Sequence, residues 1–123
     1  VAAGRGQPKG TAMEAKWPGV VFSQFEGAEL LAGKAGLSRQ ELEDFAVASH
    51  AKAVRATKEG RFADEIVPLP GIAKKTGETI RHETDEGVRP STSAAGLAKL
   101  KTLKADGVLT AGTASQIADG ASA

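Results

Sequence analysis

The side chains able to do chemistry in this sequence are few. There are 2 histidines, His50 and His82, and no cysteine among 123 residues. Without a thiol, a disulfide framework, a thiolate metal site and a cysteine nucleophile are all excluded within the chain. A serine or threonine nucleophile needs an adjacent base that is itself oriented, and neither histidine has such a signature around it. His50 falls inside a helical pattern with no second histidine three or four positions away, so a helix-surface or half-buried ring is expected there. Asp85 and Glu86 are adjacent carboxylates that should diverge into a solvated acidic loop. No G-x-x-x-x-G-K-[ST] phosphate loop occurs, and Gly4-Arg-Gly6 lacks the strand-then-helix setting that gives such glycines meaning. More informative is the run Gly112, Thr113, Ala114 and Ser115, whose small residues recur in Gly120, Ala121, Ser122 and Ala123. Two readings stand level: a backbone that approaches a ligand closely, with the Ser115 hydroxyl as donor and acceptor, or tight packing of a strand against a helix.

The elements that must position these residues follow from periodicity and capping. Residues 1–21 hold Gly4, Gly6, Pro8, Gly10, Pro18 and Gly19, which predicts an extended arm without a regular helix or central strand. Met13 and Trp17 are its large apolar groups and suit anchoring on a neighbour. Ala28, Leu31, Ala32 and Ala35 predict a helix over 27–36 that stops at Gly36. Ser38 and Glu41 form an S-x-x-E capping box at the head of a second helix over 39–59. Leu42, Phe45, Ala46, Ala53 and Ala56 make its apolar stripe, and Gly60 falls where a left-handed cap belongs. Short strands are expected over 64–69, with Pro68 confining the first to an edge or end, and over 78–81. Residues 71–77 and 82–92 read as connections. A third helix is expected from Ser93, with Leu97, Leu100 and Leu103 on one side, ending at the Asp106-Gly107 turn. Residues 108–111 read as a short buried strand. The fold class is therefore α+β and helix-dominated: three helices, a few short strands and an extended N-terminal arm.

Composition limits the rest. One domain is the expectation for 123 residues, yet Val, Ile, Leu and Phe together number only 25, a thin core. With 16 basic against 15 acidic side chains, the chain lacks the basic excess that general nucleic-acid binding requires. No apolar run approaches the ~20 residues that cross a bilayer, and no basic-then-apolar leader opens the chain. The expectation is a soluble, cytoplasmic protein with neither nucleic acid nor membrane as partner. Asparagine is absent too, which suits a thermophilic source or engineering equally, and the abrupt ends suggest a piece of something longer.

Five blocks give the chain a family likeness. They are residues 36–50 (GLSRQELEDFAVASH), 60–68 (GRFADEIVP), 85–89 (DEGVR), 97–100 (LAKL) and 110–120 (TAGTASQIADG). In this order they resemble the thiolases, the acyl-CoA acyltransferase family, and specifically the thiolase loop domain that covers the active site and holds coenzyme A. The resemblance implies a division into an arm, 1–21, matching the segment that helps subunits form tetramers, and a coenzyme A-binding loop domain, 22–123.

It also implies roles. Ser115 matches the family serine that contacts the pantetheine arm, and Arg89 an arginine near the nucleotide end, where a guanidinium can stack on adenine and face phosphate charge. Phe22-Ser-Gln-Phe25 matches the stretch bordering the acyl pocket. Thr113 replaces the asparagine of the usual T-A-G-N-A-S tail, and Gly96 stands where some members carry a coenzyme-contacting serine. The family's nucleophilic cysteine lies before this stretch, and its second cysteine, histidine and asparagine-bearing motif lie after it. The implied parent transfers acyl groups through a cysteine thioester, cleaving 3-oxoacyl-CoA or condensing acetyl-CoA, with acyl-CoA as substrate and no metal. This chain alone is expected to be inactive and to depend on the rest of the thiolase chain in a homotetramer. The alternative is a non-enzymatic oligomerisation or interaction module derived from such a lobe.

Overall fold

The structure is a computed structural model and describes residues 10–20 and 22–118. Its longest element is built around the predicted capping box. Ser38 Oγ accepts the Glu41 N–H at 3.3 Å, while the Glu41 carboxylate takes the Ser38 N–H at 2.8 Å. Two orphan amides of the first turn are thereby satisfied, and α3 runs from Arg39–Lys58. Gly60, at φ 68°, supplies the left-handed residue that ends it. The preceding helix, α2 (Gln24–Ala35), starts three residues before the expected boundary at 27, because Ser23 accepts the Glu26 N–H at 3.4 Å. It closes at Gly36, φ 67°, with the Leu37 N–H returning to the Ala32 carbonyl at 2.9 Å.

The α+β, helix-dominated class holds, with four helices among the described residues rather than three. The additional one is α1 (Thr11–Lys16), six residues inside the stretch expected to be an arm without helix. Its sequence, TAMEAK, is a good helix-forming run placed between Gly10 and Pro18, and the surrounding glycines and prolines mask it. Residues 1–9 and 21 of that arm lie outside the described residues. Trp17, at the end of α1, meets Phe22 edge to face at 5.7 Å and carries Lys16 Nζ over its ring at 4.6 Å.

The helix expected from Ser93 is a single turn, α4 (Ala94–Leu97), and does not reach Leu100 or Leu103. The reason is a competitor for its carbonyls. Arg39 Nη2 donates to the Leu97, Ala98 and Leu100 oxygens at 3.1, 3.2 and 2.9 Å. Beyond that point the Leu103 N–H turns to the Leu109 carbonyl at 2.9 Å, and Thr102 bridges Thr110. Residues 108–111 are accordingly one bridge rather than a strand, although Leu109 and Thr110 are buried as expected.

The two strands fall later than predicted. β1 (Leu69–Ile72) and β2 (Thr79–His82) pair antiparallel with Leu69 opposite His82 and Ile72 opposite Thr79. Residues 61–65 turn instead, with Phe62 accepting the Glu65 and Ile66 amides at 3.0 and 3.1 Å. Pro68 does mark an end, since pairing begins just after it. Burial is sparse: Ala32, Leu97 and Leu109 are the buried apolar side chains among the described residues, with Glu43 and Thr110 the buried polar ones. Phe45, placed in the α3 stripe, is 75% exposed, and Leu31 is 69% exposed.

Candidate functional site

A cavity of about 350 Å³ lies between the middle of α3, the 85–93 connection and the segment 111–116. Leu97, Leu100 and Gly112 form its apolar side, and His50, Arg89, Ser91, Thr92, Ser93 and Gln116 its polar side. Gly112 is present for packing. A Cβ there would stand 2.9 Å from Leu100 Cδ1 and collide with Leu97 Cδ2, so a larger residue would have to push both leucine ends aside. The packing reading of the small-residue run thus applies at Gly112.

The polar side is tied down by hydrogen bonds between distant segments. The Arg89 N–H donates to His50 Nδ1 at 3.2 Å, and Gln116 Nε2 donates to the Gly87 carbonyl at 2.7 Å. Asp85 Oδ1 accepts the Gly87 N–H at 2.7 Å, which turns the connection back on itself. Ser93 caps α4 by accepting the Gly96 N–H at 3.2 Å. Asp85 and Glu86 are exposed, as a solvated acidic loop should be, and Glu86 lies 3.9 Å from His82 Nδ1. Among the described residues no group of three or more His, Asp or Glu side chains is gathered as a metal site would require.

Ser115 does not line this cavity. It faces a smaller one of about 80 Å³ with Gln24, Phe25, Ala28, Leu109 and Thr113. Ala114 lines both, so residues 111–116 form a partition between the two cavities, with Arg89 facing the first and Ser115 the second. Of the stretch 22–25, Gln24 and Phe25 stand beside Ser115, whereas Phe22 packs on Trp17. Thr113 shapes the turn before Ser115. Its Oγ1 accepts the Thr110 N–H at 3.0 Å and donates to the Thr110 carbonyl at 3.2 Å.

The backbone just before the partition is anchored to α2 by Glu29. The Leu109 N–H at 2.9 Å and the Val108 N–H at 3.1 Å both point at its carboxylate and hold its pKa below the usual glutamate value. Two participants escaped sequence reasoning. His50 finds its partner 39 positions away, beyond any helical spacing, and Gln116 carried no signal apart from its neighbourhood to Ser115.

Residues 24–123 match the family described as thiolase, N-terminal domain. The chain belongs to the thiolase family. It is 49% identical over 87 residues to a probable acetyl-CoA acetyltransferase of Mycobacterium tuberculosis, covering 70% of this chain and 22% of that protein. A 3-ketoacyl-CoA thiolase of Vibrio cholerae is 48% identical over 98 residues, covering 78% of this chain and 25% of the relative. Among solved structures, the Bacillus anthracis acetyl-CoA acetyltransferase superposes with a TM-score of 0.70 at 33% identity, over 80% of this chain and 25% of that one. The chain thus spans 22% and 25% of the length of these two thiolase relatives.

Proposed function

We propose that residues 22–123 are the coenzyme A-binding lobe of a thiolase whose whole chain transfers acyl groups through a cysteine thioester. The observation that carries this reading is the cavity in which Arg89 stands with Ser91, Thr92 and Ser93, inside the segment that matches the family. A guanidinium and several hydroxyls at the rim of a partly apolar cleft suit a ligand with a charged nucleotide at one end. Ser115, across the partition and next to Phe25, takes the pantetheine end in this reading, and acyl-CoA is the substrate. Holding the carrier by both ends places its thioester and so converts binding energy into orientation. The reacting groups come from thiolase segments outside this stretch, so the lobe alone turns nothing over.

Its surface supports dependence on a larger body. Leu30, Leu31 and Phe45 are 64%, 69% and 75% exposed, large apolar side chains of the kind a larger body would cover. An apolar groove of about 430 Å³ between α2 and α3, lined by Leu31, Leu37, Leu42 and Phe45 among others, fits the rest of the thiolase chain. The arm, 1–21, is assigned to subunit contacts in a tetramer, and the setting to the cytoplasm. None of the described helices is long and apolar enough to cross a membrane.

Calorimetry with coenzyme A tests the reading on this chain and on the same chain carried in a full-length thiolase. Weak binding by the former and tight binding by the latter are expected, because half the ligand's wall lies outside the lobe. Binding left intact by both Ser115→Ala and Arg89→Ala overturns the two assignments. The exposed Leu30, Leu31 and Phe45 also favour a second reading, an oligomerisation module without ligand. Light scattering distinguishes it, since a stable oligomer indifferent to coenzyme A belongs to that reading alone.

A further inference from the structure

Among the described residues, His50 is the side chain of α3 that accepts a hydrogen bond from the Arg89 backbone, and it does so from the wall of the same cavity. Its partner is not a side chain that can swing away but the amide of Arg89 itself. The bond has a chemical corollary. A ring nitrogen that accepts an N–H carries no proton, so in the neutral ring the proton sits on the other nitrogen, Nε2. Nδ1 then holds the 85–93 connection while Nε2–H remains a donor on a residue that lines the cavity.

The connection needs such a fastening. The Gly87 carbonyl is held by Gln116 at 2.7 Å and the Arg89 amide by His50 at 3.2 Å. The first tie runs to the partition and the second to α3, the longest helix in the chain, 20 residues. Of the two, only the tie to α3 fixes Arg89 relative to the wall of the cavity that the helix forms. Immediately after it the Arg89 carbonyl accepts the Thr92 N–H at 3.1 Å, which turns the three hydroxyl residues into the same cavity.

We infer that His50 is a positioning residue for the ligand site. Locked in its Nε2–H tautomer, it seats the Arg89 backbone on α3 and thereby sets where the guanidinium meets the ligand. This rests on the coenzyme A reading above.

The test uses the full 123-residue chain with coenzyme A as the probe, followed by NMR titration. In the ligand-free chain, the His50 ring nitrogens are expected to report an unprotonated Nδ1 and a protonated Nε2; a protonated Nδ1 overturns the inference whatever the variants do. His50→Leu removes the acceptor and should weaken coenzyme A about five- to tenfold, the usual worth of one hydrogen bond. His50→Gln restores an acceptor and should bind within about twofold of the parent chain. A loss of folding without loss of site specificity would lower both variants equally, so the rescue by glutamine separates positioning from bulk stability. Wild-type affinity in His50→Leu overturns this inference and leaves the functional reading standing. A parent chain that shows no shifts with coenzyme A at any concentration overturns the functional reading and this inference with it.

Discussion

Arg39 and the buried Glu43 form an ion pair at 2.6 Å, one helical turn apart on α3. Arg39 also directs its Nη2 donors at the Leu97, Ala98 and Leu100 carbonyls. One guanidinium therefore neutralises a carboxylate that is 2% exposed, closes α4 after a single turn, and fastens that turn to α3. Since Leu97 and Leu100 line the cavity, the pair is also what holds its apolar side in place.

Replacing Arg39 should accordingly cost more than an ordinary surface change. Arg39→Met leaves Glu43 buried without its partner and frees three carbonyls, for an expected loss of about 2–4 kcal/mol in urea unfolding. Glu43→Gln, which keeps an acceptor for Arg39 and removes the buried charge, should cost clearly less. Equal losses in the two variants would argue against the uncompensated charge as the main term.

Gly112 offers a second test of how this side is built. Gly112→Ala forces a methyl group against the ends of Leu97 and Leu100, and both must shift to admit it. A loss of about 1–3 kcal/mol is expected. Adding Leu97→Ala to Gly112→Ala should recover part of it, a non-additivity that a double-mutant cycle reads directly.

Acid and base limits follow from three groups. Glu29 is held below its ordinary value of 4.5, first by the Leu109 amide and then by Val108. Glu41 is held below 4.5 as well, first by the Ser38 hydroxyl at 2.7 Å and then by the Ser38 N–H. A carboxylate whose folded pKa is lowered adds stability above its unfolded pKa and loses it as pH falls through the folded one. Lys104 is raised above 10.5, chiefly by its hydrogen bond to Glu26 at 2.7 Å, so its share is complete below 10.5 and lost as pH rises through the raised value. Urea midpoints should therefore hold between these limits and fall below pH 4.5. Glu29→Gln should make the acid fall shallower. An unchanged acid slope in that variant would remove Glu29 from the account.

Much of the fold was legible where the signal is local. The Ser38–Glu41 box and Gly36 and Gly60 sit within a turn of what they control, so they define α2 and α3 to within a few residues. What was not legible depends on contacts far apart in sequence. Nothing near Ser93 announces that Arg39 will take the carbonyls α4 needs, so the Leu97, Leu100, Leu103 spacing read as a longer helix. The strands slipped for a related reason: residues 64–69 include the β-branched Ile66 and Val67, but pairing requires a partner, and the hairpin register begins only at Leu69 opposite His82. At the site, only the family likeness singles out Arg89 and Ser115, and spacing alone does not reveal that they face two different cavities. For His50 the helical pattern leaves a helix-surface or half-buried ring open; the ring is half-buried, and its bond to Arg89 spans 39 positions and leaves no periodic trace.

Thr113 tests the turn that leads to Ser115. Its hydroxyl satisfies the amide of Thr110, a residue with 0% exposure, and returns a hydrogen bond to the Thr110 carbonyl. Thr113→Val keeps the shape and strands that buried amide, for an expected loss of about 1–3 kcal/mol. Thr113→Ser keeps the hydroxyl and should lie within about 0.5 kcal/mol of the parent chain. Asparagine, the usual residue of the family's tail, has a side-chain carbonyl able to accept from the same amide, so Thr113→Asn should fall nearer to serine than to valine. The ordering serine, asparagine, valine, measured by urea unfolding, is the prediction. Valine as stable as serine would show that the hydroxyl does not hold this turn, and the Ser115 loop would then need another support.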